Sequence, residues 1–595
     1  MTLRHAFALL LVSVALLTPV DASDQVDRLI PADAGIAGAI RDLPATSAAW
    51  ADSPLARLWD DPAMRAYFAP LHRKLQEESL DDRLLEETGY TSDELVAMAP
   101  GGVAFYFRDF ATFMTALDAD PDGLAAEDVD AAVLIGAGES AEEVATLIQE
   151  LIERDAEDAE DTHVPTTREY REITMHIQQR IDLDEPRDEG SWAVVDGVVA
   201  VSSNPDHLQT IIDRVLDGDD SGLLTSDDPA IADLAANDAY LFVDIAPYIP
   251  LLEESLATEF AVQNPAGLDA TRLVEALGLN ALRSATMSLD MDGGMTQMDM
   301  VITMSENVGL MKMMAFENRP IERVEGIPAH AENFGVNYFS IETCWTAIEE
   351  MVNAINPMYL AMASGQLAGW QEAQGLSLDL RRDLLENIGS TIVSLQFMGD
   401  VEEGVEDLDA MEDQVVIFEV LDSEALTNLI ETLKSGVSQG NELFESREFL
   451  GVEIHTVKET SPDAATPRIA YAVTDQHLYL SVGAGRSLEE TLAARANPDA
   501  PSAWDQPDVI RALAAIPGNV ASMNYQDTGA MSALLFEVMS FVAMDTTEDD
   551  LIFDPAAVPT PEVIRQYLGP IVSFMSKDDT SIQLRAVVLS SEDAS

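Results

Sequence analysis

The chain reads as α+β: two homologous halves, each a mainly antiparallel sheet with helices packed on one face. Three observations predict this. Alternating apolar runs come in pairs joined by tight-turn residues, as in WAVVDGVVAVS from Trp192, which is the mark of a hairpin. Helical stretches with capping signals separate groups of such pairs. The order of strands and helices then occurs twice along 595 residues, a length that one core rarely serves.

Residues 1–22 come first. Arg4 and His5 form a short basic start, and the apolar run AFALLLVSVALL is too short to span a bilayer comfortably. Val20 and Ala22 suit the small-residue positions of a signal-peptidase site. The expectation is an export signal cleaved near Ala22, and an extracytoplasmic protein, periplasmic or secreted. No Cys follows the apolar run to carry a lipid anchor. No later run is long and apolar enough for a membrane span, so the mature chain should have no integral membrane segment.

The first half is expected at 23–315, a linker at 316–326 and the second half at 327–595. IPADAGIAGAIRD from Ile30 answers to IPAHAENFGVNYF from Ile327. DAAVLIGAGESAEEVATLIQELIER from Asp130 answers to DQVVIFEVLDSEALTNLIETLKSG from Asp413. EYREITMHIQQR from Glu169 pairs with REFLGVEIHTVKE from Arg447, and each half closes on a strand hairpin. Thr91 to Glu94, Ser140 to Glu143 and Ser487 to Glu490 have the S/T-x-x-E form that opens a helix, and Asn204-Pro205 is a cap followed by Pro at the first helical position.

The IPAD opening, paired hairpins, repeated half and export signal resemble a family of uncharacterised bacterial exported proteins, catalogued as a domain of unknown function. The resemblance covers most of the mature chain. It implies an extracytoplasmic location and brings no activity or catalytic residue.

Charge narrows the partners. Lys+Arg is 32 against Asp+Glu 107, a net charge of -75, which repels nucleic acid and anionic lipid headgroups. A cationic or cell-envelope partner is compatible with it. Only five of the basic residues are Lys, and an Arg-biased, carboxylate-rich chain suits a saline habitat and a GC-rich genome equally well. Cys344 is the only cysteine, which excludes an intrachain disulfide and a Cys-based zinc site; beside Trp345 it reads as packed and inert.

Four stretches could carry chemistry. In DADPDGLAAEDVD, Asp118, Asp120 and Asp122 match the first ligand positions of a calcium loop, and Gly123 its turn. The position expected to be Glu is Val129, and strands flank the loop instead of helices. It therefore reads first as a solvated connection; if a metal binds, it is calcium at those three carboxylates. Otherwise no cofactor is expected. Gly136-x-Gly138-x-x-Ala141 follows a strand and opens a helix, as a dinucleotide loop does, but Glu139, Glu142 and Glu143 would repel a pyrophosphate. MSLDMDGGMTQMDMVITM from Met287 offers thioethers to Cu(I), yet its alternation predicts a hairpin with Met287, Leu289, Met291, Met298, Met300, Ile302 and Met304 on a buried face. His176 and His455 hold matching strand positions in the two halves. No G-x-S-x-G, H-E-x-x-H or P-loop occurs. The leading expectation is a non-enzymatic binding or structural protein. The alternatives are a hydrolase-like enzyme with a dispersed site and a calcium-stabilised surface module.

Overall fold

The computed structural model describes residues 26–591 apart from short internal stretches, the longest being 113–129, 399–411, 458–468 and 540–551. Residues 1–22, expected as an export signal, and the carboxylates of Asp118, Asp120 and Asp122, expected as the calcium ligands if a metal binds, lie outside the described residues. The fold is α+β, as expected. The chain divides into two compact units. The first comprises Met1–Leu251, Arg283–Thr303 and Ala543–Pro559; the second comprises Leu252–Leu282, Met304–Val542 and Thr560–Ser595.

The first unit is built on strands β1 (Ile36–Ile40), β2 (Val103–Phe107), β3 (Ala131–Gly136), β4 (His163–Tyr170), β5 (Ile173–Arg180), β6 (Arg187–Val195), β7 (Val198–Ser202), β8 (Ala239–Asp244), β9 (Leu282–Asp292) and β10 (Met295–Met304). They pair in the order β10-β9-β8-β1-β2-β3-β7-β6-β5-β4. In the second unit, β11 (Arg319–Pro320) pairs with β19 (Asn519–Val520). The remaining strands are β12 (Asn333–Tyr338), β13 (Ile388–Met398), β14 (Glu412–Val420), β15 (Phe444–Phe449), β16 (Val452–Val457), β17 (Ile469–Val473), β18 (His477–Val482), β20 (Ser522–Gln526), β21 (Leu568–Lys577) and β22 (Ser581–Ser590). Their order is β22-β21-β20-β12-β13-β14-β18-β17-β16-β15. The two orders coincide position for position, and every pair with a defined register is antiparallel.

Over part of each sheet, helices pack on both faces, where alternation alone led to one. The reason is visible in β3: AAVLIG is buried at every residue, so it needs apolar cover on both sides. On one face, Leu208, Ile211 and Ile212 of the Pro205–Asp217 helix pack with Ala193, Val198 and Ala200. On the other, Val144, Ala145 and Ile148 of the Ala141–Asp158 helix pack with Val133, Trp192 and Val199. In the second unit Leu488 and Leu492 cover Ala472 and Tyr479, while Leu426 and Leu429 cover Tyr471 and Leu478.

Local signals largely hold. Asp196 and Gly197 adopt φ of 49° and 81°, the left-handed pair that a two-residue hairpin turn needs. Thr91 and Glu94 form the reciprocal capping box, and Asn204 caps His207 with Pro205 at the helix start. Ser487 instead lies inside the Arg486–Ala496 helix. In the β4–β5 turn, Arg171 and Glu172 take positive φ without being glycine, which costs each about 1 kcal/mol or more. Arg171 offsets this by pairing with Asp213 and Asp217 on the Pro205–Asp217 helix, at 2.8 and 2.6 Å.

Residues 316–326, expected as a linker, are bonded within the second unit. Besides the β11–β19 pairing, Trp504 Nε1 donates to the Val324 carbonyl at 2.8 Å, and Tyr338 OH donates to the Pro320 carbonyl at 2.8 Å. Among the described residues, no helix is long and apolar enough to cross a membrane.

Candidate functional site

Strand alternation places His176. In ITMHIQQR, Met175 and Ile177 are buried, so His176 and Gln178 point to the opposite face. Trp192 faces the same way on β6 and stands directly across from His176 in the ladder. The two rings stack with centroids 3.9 Å apart and planes 4° from parallel. The Ala141–Asp158 helix crosses above them, and Gln149 and Ile152 on that helix close a cavity of about 270 Å³ over Thr167, His176, Gln178 and Trp192.

Burial depresses the basicity of His176, so the imidazole is neutral at neutral pH. The cavity is lined by amides, hydroxyls, apolar side chains and this one imidazole; no carboxylate is among its described residues. A general base needs a partner that orients its ring and stabilises the imidazolium. His176 has a stacking partner instead. The arrangement suits recognition of a small uncharged molecule better than proton transfer.

The second unit closes the matching place. His455 stands across from Tyr471, with ring centroids 4.7 Å apart. Ser446 Oγ lies 2.7 Å from its Nδ1, and Lys434 Nζ lies 3.4 Å from the same atom. Lys434 pairs with Glu431 at 2.7 Å and rests over the rings of Phe444 and Tyr471. In the matched helices, LIQELI and LIETLK, Lys434 and Glu431 take the places of Ile152 and Gln149. Burial and the Lys434 charge together hold His455 below the usual imidazole range.

His207, which sequence reasoning passed over, lies at the buried end of a chain of polar groups that runs out to the surface. Its Nε2 is 2.8 Å from Tyr106 OH and its Nδ1 is 2.6 Å from Asp130 Oδ1. Arg108 joins Asp130 to Asp33 through 3.2 and 2.5 Å ion pairs. An Asp-His-Tyr chain has the parts of a proton relay, but Tyr106 is 1% exposed within the core, where no substrate can reach it. Its work is structural. Burial pushes the Asp130 carboxyl up, and His207 and Arg108 outweigh this to hold it below the usual carboxylate range. A carboxyl depressed in the folded state stabilises above its unfolded pKa of about 3.9 and loses that contribution as pH falls through the folded value. The melting-temperature gap between wild type and Asp130→Asn is therefore expected to be widest near neutrality and to close below about pH 4. A gap that stays constant well below that pH, through the acid range, would exclude the charge as its cause.

The other candidates resolve into structure. Gly136 is needed because a Cβ there would sit 2.6 Å from Gly101 Cα, and Gly138 takes φ of 51°. The Ala137 and Gly138 N–H groups donate to the Gly197 carbonyl, at 3.0 and 2.8 Å, and do not point into an open phosphate cradle. The methionine hairpin corrects an expectation. Met287, Met298 and Met300 are 42%, 48% and 40% exposed, while Ser288 and Asp299 on the opposite parity are buried. The apolar side of β9 and β10 lies open, and Met287, Leu289 and Met298 border an apolar trough of about 340 Å³ with Ile40, Phe105 and Leu241. Met304 is buried as expected. Cys344 is partly buried and its thiol is pushed up by burial, which disfavours the reactive thiolate. Among the described residues no group of His, Cys, Asp or Glu is arranged to hold a metal.

Comparison with known proteins adds little. No family model matches the chain, and no curated protein matches it. Two solved structures of TP0453 are similar to parts of it. Crystal form I is 7% identical over 43% of this chain and 74% of that chain, with a TM-score of 0.20. Crystal form III is 8% identical over 46% of this chain and 96% of that chain, with a TM-score of 0.21. At these scores the likeness carries no argument.

Proposed function

We propose that this is an exported, non-catalytic binding protein, of the exported family that its sequence resembles, and that the first unit receives a small uncharged ligand in the His176–Trp192 cleft. The observation that carries the reading is the cleft's chemistry: a neutral imidazole pinned face to face on an indole, amide and hydroxyl groups around it, and no described carboxylate to run acid–base chemistry. Export rests on residues 1–22, and duplication on the matched segments and the coinciding strand orders.

The second unit supplies the design of the test. Gln149→Glu with Ile152→Lys would install in the cleft the ion pair that fills its counterpart. Ligand-observed NMR on the full chain, with indole, benzamide and adenosine against indole-3-acetate, benzoate and benzamidine, should show binding of uncharged rings only. The double variant should weaken that binding about tenfold or more, a loss of about 1.4 kcal/mol, with its melting temperature little changed. Equal binding of the charged compounds, binding of none, or indifference to the double variant would each refute the proposal.

A further inference from the structure

The corresponding sheet positions of the two units carry opposite chemistry. In the first unit the open face over β1, β2 and β8 is apolar, as described above. In the second unit the face over β12, β13, β20 and β21 is almost wholly neutral and hydrogen-bonding, around a trough of about 310 Å³. Parity explains how this arises. Phe334, Val336, Leu395, Met523, Tyr525 and Phe574 turn into the core, which sends Asn333, Ser394, Gln396, Asn524, Gln526 and Ser573 to the trough.

The ladder sets these groups in rows across the strands. Gln414, Gln396, Asn333 and Gln526 are successive partners in register; beside them run Ser394, Gly335, Asn524 and Ser573. Neighbouring strands are about 4.8 Å apart, so the first row offers an amide at that repeat and the second an amide or hydroxyl on either side of Gly335. Gly335 is part of the construction: a Cβ there would collide with Asn524 Oδ1 and Ser394 Oγ, which lie over the bare backbone. Asn333 is fixed, donating to Gln396 Oε1 at 2.9 Å and accepting from the Asp527 N–H at 3.2 Å. Among the described residues, the side chains of Ser394, Gln414, Asn524, Gln526 and Ser573 have no hydrogen-bond partner.

In a chain with 107 carboxylates, a trough whose described lining holds no charge at all selects by exclusion. A cationic ligand finds no anion there, a polyanion is repelled by the net charge of -75, and an apolar ligand would strand the amides without partners. What remains is a neutral ligand with many hydroxyls. Each amide offers a donor pair and an acceptor side by side, matching the paired hydroxyls of a sugar ring. The repeat between strands is also close to that of residues in an extended glycan. We infer that this face of the second unit binds an uncharged oligosaccharide laid across β21, β20, β12 and β13.

The test is titration calorimetry of the full chain with cellohexaose, chitohexaose and maltohexaose. At least one should bind with millimolar or tighter affinity that does not change with salt. Asn524→Ala and Gln526→Ala should each weaken it about tenfold, as loss of a ligand hydrogen bond does, without lowering the melting temperature. The double variant Gln149→Glu, Ile152→Lys, whose change lies in the first unit, should leave it intact, so this inference and the cleft's proposed role fail separately. Binding of no hexasaccharide, binding that survives both alanine variants, or equal binding of an uncharged hexapeptide would overturn it.

Discussion

Arg41→Ala is expected to destabilise the protein by about 3–5 kcal/mol, the cost of leaving a buried charge without its partner. Asp27, on the short helix Val26–Leu29, is 1% exposed, and Arg41 Nε lies 2.9 Å from its carboxylate. Burial raises the Asp27 pKa even with Arg41 beside it. Without the guanidinium the rise becomes larger. A carboxyl whose folded pKa lies above its unfolded value costs nothing below both, because it is protonated in both states. Its cost grows as pH rises between them. The deficit of Arg41→Ala measured by denaturant titration should therefore be full at neutral pH and shrink on acidification. A deficit that does not change with pH would mean that only packing was lost. The double variant Asp27→Asn, Arg41→Met removes both charges at similar volume and should recover most of the loss. If it is as unstable as Arg41→Ala, the ion pair is not the source.

Much of the frame was legible because its signals are local. The Asp196-Gly197 turn, the Thr91 capping box and the Asn204-Pro205 start each depend on residues within four positions of one another. Strand order could be anticipated only in outline, through the repeated segments. What stayed hidden depends on distance. His207 shows nothing in its own segment, because its partner Tyr106 is 101 residues away. The one hint was a hydroxyl on VAFYF, an otherwise apolar strand. His176 and His455 were visible as a repeat, but not that one faces an open cleft and the other a filled one. That difference rests on Ile152 and Lys434, each an ordinary helical residue in its own sequence.

Alternation also has a fixed blind spot. It separates the two faces of a strand without saying which is covered. For β9 and β10 the apolar parity seemed the covered one, and Ser288 and Asp299 proved to be buried instead. For β12 and β20 the polar parity by itself looks the same as any solvent-facing strand. Only the register gathers Asn333, Gln396 and Gln526 into one row. The two units thus share a frame while the open faces differ, and function is to be sought on those faces.

The frame itself depends on close backbone approach, as at Gly102, and Gly102→Ala is expected to cost about 3–5 kcal/mol. Gly102 opens β2 with φ of 81°, and its carbonyl accepts from the Gly136 N–H at 2.9 Å. A Cβ there would run into the carbonyl oxygens of Ile40 and Arg41 and come within 2.7 Å of the Arg41 carbonyl carbon. Backbone atoms cannot turn aside as a side chain can, so the strands β1, β2 and β3 would have to separate. Gly218 is the control. It has φ of 63°, and a methyl group placed on its Cα would meet nothing within 4 Å, so Gly218→Ala carries the conformational cost alone, about 1–2 kcal/mol. Denaturant titration of both variants should show Gly102→Ala as the worse by roughly 2 kcal/mol or more. Equal losses would mean that β1 and β2 yield easily, and that the glycine serves its backbone angle and not the approach of its neighbours.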